Sequence, residues 1–600
     1  MSPRTSVHNA DIARAFDEIA DLLELEGANP FRVRAYRNAV RTIEAQTTPL
    51  AEMLERGADL TELPGIGKEM ASHVAELVRT GRLAALAELE AQTPRSLVEL
   101  MRVPGLGPKK AKRLWKELGI ESIADLEKAA RAGKIAALEG FGAKSQEKIL
   151  QGIGTAQRLA QRMGIAEADL VLEPLLTHLR QAPGLERLEA AGSWRRRKES
   201  VGDLDLLATA RDPAAVMDHF VRYPGVARVD ARGETKCTVV LRSGVQADLR
   251  IVPEKSFGAA LVYFTGSKEH NIRLRAMAVD RGLRISEYGV FQEPTRKRRA
   301  EREEAAAERD PWAGKWLAGK REEDVYRTLR LPWIPPELRE DRGEIEAAAK
   351  GKLPKLLERG DLRGDLQMHT TWSDGQETVA AMLAACSERG YEYCAITDHS
   401  KALAMVRGLD ARRLKQQWRE MDRVAPKYPQ IRLLRSMEVD ILADGSLDLE
   451  DELLEKLDLV LVTVHSKFDL DPGRQTKRIL KAIQHPAAQV LGHPTGRRRG
   501  IREAMRFDVD EVLQACAELG VAVELNANPE RLDLKDTHLM RAKELGCKIT
   551  ISTDAHSPRD LDLMRYGVEQ ARRARLTKAD VLNAQPLAKL LAQLRPRAGA

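Results

Sequence analysis

The 600-residue chain reads as a multidomain protein with an all-α N-terminal region, an α/β middle and a C-terminal (β/α) barrel. Three observations predict this order. Glycine turns of the form apolar-x-Gly-apolar-Gly recur roughly every 35–40 residues in a helical N-terminal third. Two aspartates two residues apart open an apolar strand at Asp203. Five short apolar runs between residues 365 and 556 end in His or Asp and alternate with helical stretches. At roughly 150 residues per domain the length asks for about four units. With 43% hydrophobic and 31% charged residues, a wholly disordered chain is excluded. No apolar run approaches the ~20 residues that span a bilayer, and the N-terminus lacks a signal-peptide core, so a cytoplasmic protein is expected. Cys237, Cys386, Cys394, Cys516 and Cys547 lack CxxC spacing, which argues against a disulfide framework or thiolate zinc finger. Lys+Arg of 97 against Asp+Glu of 90 favours a polyanionic partner only weakly.

In the first region, Ile12, Ala15, Phe16, Ile19, Leu22 and Leu23 share one helical face. Asn29-Pro30 interrupts, and a second helix carries Phe31, Val33, Tyr36, Val40 and Ile43. Leu63-Pro64-Gly65-Ile66-Gly67-Lys68 and Val103-Pro104-Gly105-Leu106-Gly107-Pro108-Lys109-Lys110 follow, with a looser copy at Leu138–Lys144. Glycines allow a tight turn that points backbone N–H groups outward at a helix start, where a phosphate oxygen fits and a lysine adds charge. These units resemble helix-hairpin-helix motifs, which grip the DNA backbone without reading sequence; Gly65, Gly67, Lys68, Gly105, Gly107, Lys109 and Lys110 are the candidate contacts.

Ala191–Leu207 (AGSWRRRKESVGDLDLL) is the most informative stretch. Asp203 and Asp205, at i and i+2 of a strand, project to one face. Asp248, in a second strand-like run, supplies a third carboxylate. Three such groups on adjacent strands can hold the two divalent cations of phosphoryl transfer, with Gly192-Ser193 and Arg196 placed for a triphosphate.

Together with Phe257–Arg275, which contains Tyr263-Phe264-Thr265-Gly266-Ser267, this segment resembles a family X DNA polymerase. The resemblance implies a nucleotidyltransferase palm and thumb, with Asp203, Asp205 and Asp248 catalytic and holding two Mg²⁺ or Mn²⁺. It assigns nucleotide contacts to Gly192, Ser193, Arg196, Gly202, Tyr263, Phe264, Gly266, Ser267, Lys268, Asn271 and Arg275, and places Glu337 in the closing thumb segment. The charged run Arg296–Arg309 reads as a solvated helix or loop. Two positions depart from the family. Arg197 stands where glycine is usual, and a side chain there is expected to alter the turn. His73 stands at the lysine of relatives with deoxyribose-phosphate lyase activity and is unsuited to Schiff-base chemistry, leaving Lys68 as the substitute.

After a Pro-containing connection, seven of the twelve histidines fall between 369 and 556, at the ends of apolar runs. Strand, polar end and helix in repetition imply a (β/α) barrel with its chemistry at the carboxyl ends. The pattern resembles the polymerase and histidinol phosphatase (PHP) domain, a distorted barrel binding up to three metals. By that resemblance His369, Asp374, His399, Glu438, His465, His493, Asp554 and His556 are ligands for Mn²⁺ or Zn²⁺. The family's opening His-x-His is here Gln367-x-His369, and a neutral amide is the poorer ligand. His485 and His538 fall outside the pattern.

The expected organisation is a helical domain with the first hairpin (1–90), a second hairpin region (91–160), palm (161–255), thumb (256–340), linker (341–360) and PHP domain (361–600). The layout matches bacterial family X polymerases. It implies gap filling in DNA repair, base excision repair included, on gapped or nicked duplex with deoxynucleoside triphosphates, by a monomer. The PHP site adds 3′–5′ exonuclease, abasic-site endonuclease or 3′-phosphatase action. The residues leave open a structural PHP domain, a DNA-end binding module with little synthesis, and a non-polymerising nucleotidyltransferase.

Overall fold

The computed structural model describes the chain except residues 1–6, 8, 47, 49, 64, 95, 102, 104, 105, 139, 140, 143, 144, 151, 152, 154–161, 293–311 and 595–600. Gly105, the third hairpin's Gly140 and Lys144, and the run 296–309 therefore lie outside the described residues. The chain forms two compact units, Met1–Arg162 and Met163–Ala600.

The first unit is helical. Helix α1 (Asn9–Glu26) is followed by α2 (Pro30–Ala45), whose start is fixed by the Asn29 side chain accepting from the Phe31 N–H at 2.9 Å and by Pro30 in the first turn. Helices α3 (Lys68–Thr80) and α4 (Pro108–Leu118) begin directly after the hairpin glycines Gly67 and Gly107. Ile12, Phe16 and Ile19 pack with Tyr36 and Val74 in one core, whereas Leu22 and Leu25 join Leu106, Leu114 and Phe141 in another. A single amphipathic helix thus serves both hairpin cores.

The second unit opens with β1 (Met163–Gly164) and α5 (Ile165–Leu179). Next come β2 (Leu185–Ala190), β3 (Ser200–Val201), β4 (Asp203–Ala210), β5 (Val226–Arg232), β6 (Lys236–Leu241) and β7 (Gln246–Ile251). The palm sheet has the order β2-β4-β7-β6-β5, with β4 and β7 parallel and the other pairs antiparallel. Leu204, Leu206 and Ala208 face its core, which leaves Asp203 and Asp205 on the opposite face. The thumb contains α6 (Phe257–Thr265), α7 (Lys268–Asp280), the antiparallel strands β8 (Leu283–Ser286), β9 (Gly289–Gln292) and β10 (Lys315–Ala318), and α8 (Glu322–Thr328). Residues 341–360, expected as a linker, include α9 (Glu344–Ala349), whose Ile345 and Ala348 enter the thumb core together with Leu356.

Seven parallel strands form the barrel in sequence order: β11 (Gly364–Asp365), β12 (Tyr393–Ile396), β13 (Arg432–Asp440), β14 (Leu459–Thr463), β15 (Val490–Leu491), β16 (Ala522–Asn526) and β17 (Ile549–Ser552). A parallel bridge from Met368 to Ala555 joins the first and last strand ends, so the ring nearly closes. Alternation sorts the side chains. Cys394, Ile396, Val460 and Val462 pack outward on helices, while Tyr393, Ala395, Leu459 and Leu461 fill the interior with Leu582, Leu590 and Leu594. Helix α10 (Met564–Arg573) follows β17, and α11 (Leu587–Gln593) ends the described chain. Among the described residues no helix is long and apolar enough to cross a membrane, and all five cysteines are buried and free.

Candidate active sites

In the hairpins, Gly65 has φ +82° and its missing Cβ would meet Asn38 at 3.4 Å, so the turn needs glycine there. Gly67 and Gly107 cap α3 and α4 with no side-chain cap hydrogen bond among the described residues, and exposed Lys68, Lys109 and Lys110 stand in the first turns. In α4, Pro108 has no N–H and the Lys110 N–H donates to the Gly107 carbonyl at 3.0 Å. His73 is engaged elsewhere. Its Nδ1 lies 3.0 Å from the Tyr36 hydroxyl, which also donates to Glu69 at 3.3 Å, and the two rings stack at 6.0 Å.

The palm brings the three aspartates onto one face, because the parallel register sets Asp205 beside Asp248 and Asp203 beside Gln246. Burial first, and then the charges of Asp203 and Asp248, push the Asp205 carboxyl up to about 7. A site that concentrates carboxylates this way fits divalent cations. Gly192, at φ +62°, lies against the triad: a Cβ there would fall 2.2 Å from Asp205 Oδ2. Sequence reasoning missed two cations at this face. Lys236 Nζ lies 3.5 Å from Asp248, and Arg250 covers the Phe264 ring at 4.5 Å. Arg250 shares the face of Asp248 two residues along β7, and Lys236 of β6 pairs with Arg250, a placement that strand periodicity carries.

The remaining palm and thumb candidates cluster around the Gly266 turn. Arg196 donates through Nη1 to the Thr265 carbonyl and through Nε to Glu340 at 3.1 Å; a Cβ on Gly266 would meet the guanidinium at 3.0 Å. Tyr263 packs edge-on against Phe264 at 5.1 Å and keeps 37% of its surface exposed. The Asn271 amide donates to the Tyr263 carbonyl at 2.7 Å, and Arg275 Nε to the Asn271 carbonyl at 3.3 Å. Ser267 caps α7, accepting from the His270 N–H at 3.2 Å, with exposed Lys268 as the first helical residue. Half-buried Ser193 and Gly202 flank the Arg195–Lys198 turn and the start of β4. Arg197, expected to disturb the turn, adopts the glycine-like backbone itself, at φ +53°. Glu337 pairs with Arg572 at 2.7 Å.

In the barrel, alternation places Glu438 and Asp440 of β13, Glu524 and Asn526 of β16 and the residues after β12, β14 and β17 on the interior at the carboxyl end. Glu438 is the hub. His493 Nε2 lies 2.9 Å from it, His465 Nε2 3.1 Å, His369 Nε2 3.3 Å and His399 Nδ1 3.6 Å. Asp374 gathers His556 at 3.3 Å, His399 at 3.6 Å and His369 at 3.7 Å, and Asp554 lies 3.0 Å from His369. Three overlapping groups have ligand atoms within 4.8 Å of one another: His369, Asp374, His399 and His556; His399, Glu438 and His465; His369, Glu438 and Asp554. All eight expected ligands therefore converge, His493 through Glu438 and an edge-on contact with the His465 ring at 5.2 Å. Burial opposes the Glu438 charge, but the imidazoles of His399 and His465 outweigh it and hold the carboxyl well below its usual range. Burial likewise opposes protonation of His465, yet Glu438 and Asp440 raise it to about 9. Among the described residues, the buried Nδ1 atoms of His369 and His493 and the Oε1 of Gln367 have no hydrogen-bond partner, as expected of donor atoms shaped for metal. Gln367 instead donates through Nε2 to Glu438 at 3.0 Å. Asp440, Glu524, Asn526 and Arg531, the last 3.3 Å from Asp554, belong to this centre and were missed; only Asp440, two residues from Glu438, carried a sequence signal. His485 pairs with Asp451 at 3.2 Å, outside the centre.

Comparison with known proteins agrees with this geometry. Family models match a helix-hairpin-helix domain at residues 7–83, a SAM-like helix-hairpin-helix tandem at 57–117 and 97–155, a DNA polymerase beta thumb at 260–340 and a PHP domain at 365–528. The DNA polymerase/3′-5′ exonuclease PolX of Bacillus subtilis is 39% identical over 583 residues, 97% of this chain and 98% of that protein. DNA polymerase lambda of Rattus norvegicus is 26% identical over 56% of this chain and 57% of its own. A probable phosphatase of Thermoanaerobacter is 27% identical over 36% of this chain and 89% of its own. With an apolar-strand aspartate triad, a polymerase-beta-type thumb and a histidine-lined barrel in one chain, and a relative alike from end to end, the protein belongs to the bacterial family X DNA polymerases that carry a C-terminal PHP domain.

Proposed function

We propose that the protein is a DNA-directed DNA polymerase that fills short gaps in repair and degrades DNA 3′ ends at its barrel. The observation that carries the first activity is the Asp203–Asp205–Asp248 face with Gly192 against it. Those carboxylates would hold two Mg²⁺ or Mn²⁺, and the barrel's His and acidic residues up to three Mn²⁺ or Zn²⁺. Bound cations neutralise charge on the attacking and leaving oxygens of a phosphoester. The chain's own residues do the rest. Gly192 and Ser193 admit the triphosphate beside the carboxylates, and Arg196 supplies positive charge there. Tyr263 and Phe264 present ring faces to the sugar or base, and Asn271 and Arg275 offer hydrogen-bond donors to the minor-groove side. Gapped or nicked duplex, primer 3′ ends and deoxynucleoside triphosphates are the partners, with the hairpins holding backbone phosphates. The dense, largely buried ligand cluster supports a hydrolytic barrel over a structural one, with 3′–5′ exonuclease as its lead activity.

The test is insertion opposite each template base in a one-nucleotide gap. The complementary nucleotide should be added at least about 100-fold faster than the others, and Asp205→Ala should abolish addition. Nucleotide choice indifferent to the template would support the non-polymerising alternative.

A further inference from the structure

The turn Arg195–Glu199 is gripped from the barrel. Arg197 occupies left-handed backbone, which favours glycine, and its side chain shows what holds it there. It makes two 3.0 Å hydrogen bonds to Asp169 of α5 and a 2.7 Å ion pair with Glu569 of α10, and lies over the Trp194 ring at 5.0 Å. Four residues further along α10, buried Arg573 donates to the Arg196 carbonyl at 2.7 Å and to Glu340 at 3.0 Å, the carboxylate that Arg196 itself reaches. Arg497 of the barrel holds Glu199 at 2.7 Å. Tyr566 of α10 and Leu532 complete the contact inside the palm's apolar core. The barrel therefore holds the main chain of Arg196 directly, and it reaches the side chain only through Glu340, which Arg573 and Arg196 share. A glycine at 197 would offer Glu569 nothing to hold.

We infer that Glu569 and Arg573 are positioning residues for the polymerase reaction: α10 of the barrel fixes the triphosphate-side turn through Arg197 and the Arg196 carbonyl. This rests on the nucleotide-pocket reading above. The barrel then has a part in synthesis that is separate from its own metal chemistry.

The experiment is single-nucleotide insertion on gapped duplex by the full chain as wild type, Glu569→Gln, Arg197→Gly and the double variant. Glu569→Gln should raise the nucleotide KM roughly fivefold with kcat within about twofold. In the Arg197→Gly background it should add nothing, since its partner is gone. Glu569→Asp should recover most of the loss, and Glu569→Ala carries the same comparison if Glu569→Gln is recovered unfolded. An unchanged KM, or an equal rise in both backgrounds, overturns the inference. A wild-type chain without template-directed insertion would instead remove the pocket reading beneath it.

Discussion

Gln367 shows how one side chain tunes a shared centre. Its amide donates to Glu438, the hub carboxylate, while its Oε1 stays buried without a partner. An imidazole there would present a lone pair in place of an N–H donor. Gln367→His should tighten Mn²⁺ binding by about tenfold, read by titration calorimetry, and a variant binding no tighter would show that position 367 is not at a metal. His369, His399, His465, His493, Asp554 and His556 were legible because they end apolar runs, whereas Asp374 and Glu438 came from the family resemblance. Arg531 and Glu524 were not legible, because an arginine in a loop and a glutamate within a strand look ordinary until the ring closes around them. Arg197 went the other way: its departure from glycine was visible, but its compensation by Asp169 and Glu569 depends on contacts 28 and several hundred residues away.

Among the elements, the strands were read most directly. Period-two projection put Asp203 and Asp205 of β4 on one face, and apolar runs located β7, β13, β14 and β17, whereas α9 was hidden in a segment that composition marked as a connection. Its neighbour Glu340, buried between Arg196 and Arg573, has its carboxyl pushed down to about 2: burial opposes the charge, but Arg573 and Arg196 prevail. A carboxyl depressed below its ordinary 4.5 contributes stability that is full above that value and is lost as pH falls toward about 2. Glu340→Gln, which removes the carboxylate that Arg196 and Arg573 share and leaves Arg573 only Asp536 as a counter-charge, should cost about 3 kcal/mol at neutral pH. In thermal melts the deficit should be level above pH 5 and shrink below pH 4. A deficit unchanged down to pH 3 would assign the loss to packing.

For the whole molecule, net charge was a poor guide, since 97 basic and 90 acidic residues nearly cancel. The basic groups that matter are local, and palm, thumb and barrel form one compact unit through α9, α10 and a buried ion-pair network that they share. Such sharing leaves no composition shift in the sequence. In the first unit, replacing Lys68, Lys109 and Lys110 with Ala should lower the slope of log affinity against log salt by about 0.9 per lost phosphate contact. An unchanged slope in a fluorescence-anisotropy titration would place the hairpins off the DNA. On the proposed function one chain carries two separate chemistries, each with its own side chains. A primer-extension and degradation gel in Mn²⁺ with two full-length variants tests it most directly. Asp205→Ala should still shorten primers without extending them, and His369→Ala should extend without shortening; His369→Ala that degrades DNA like the wild type would contradict the account.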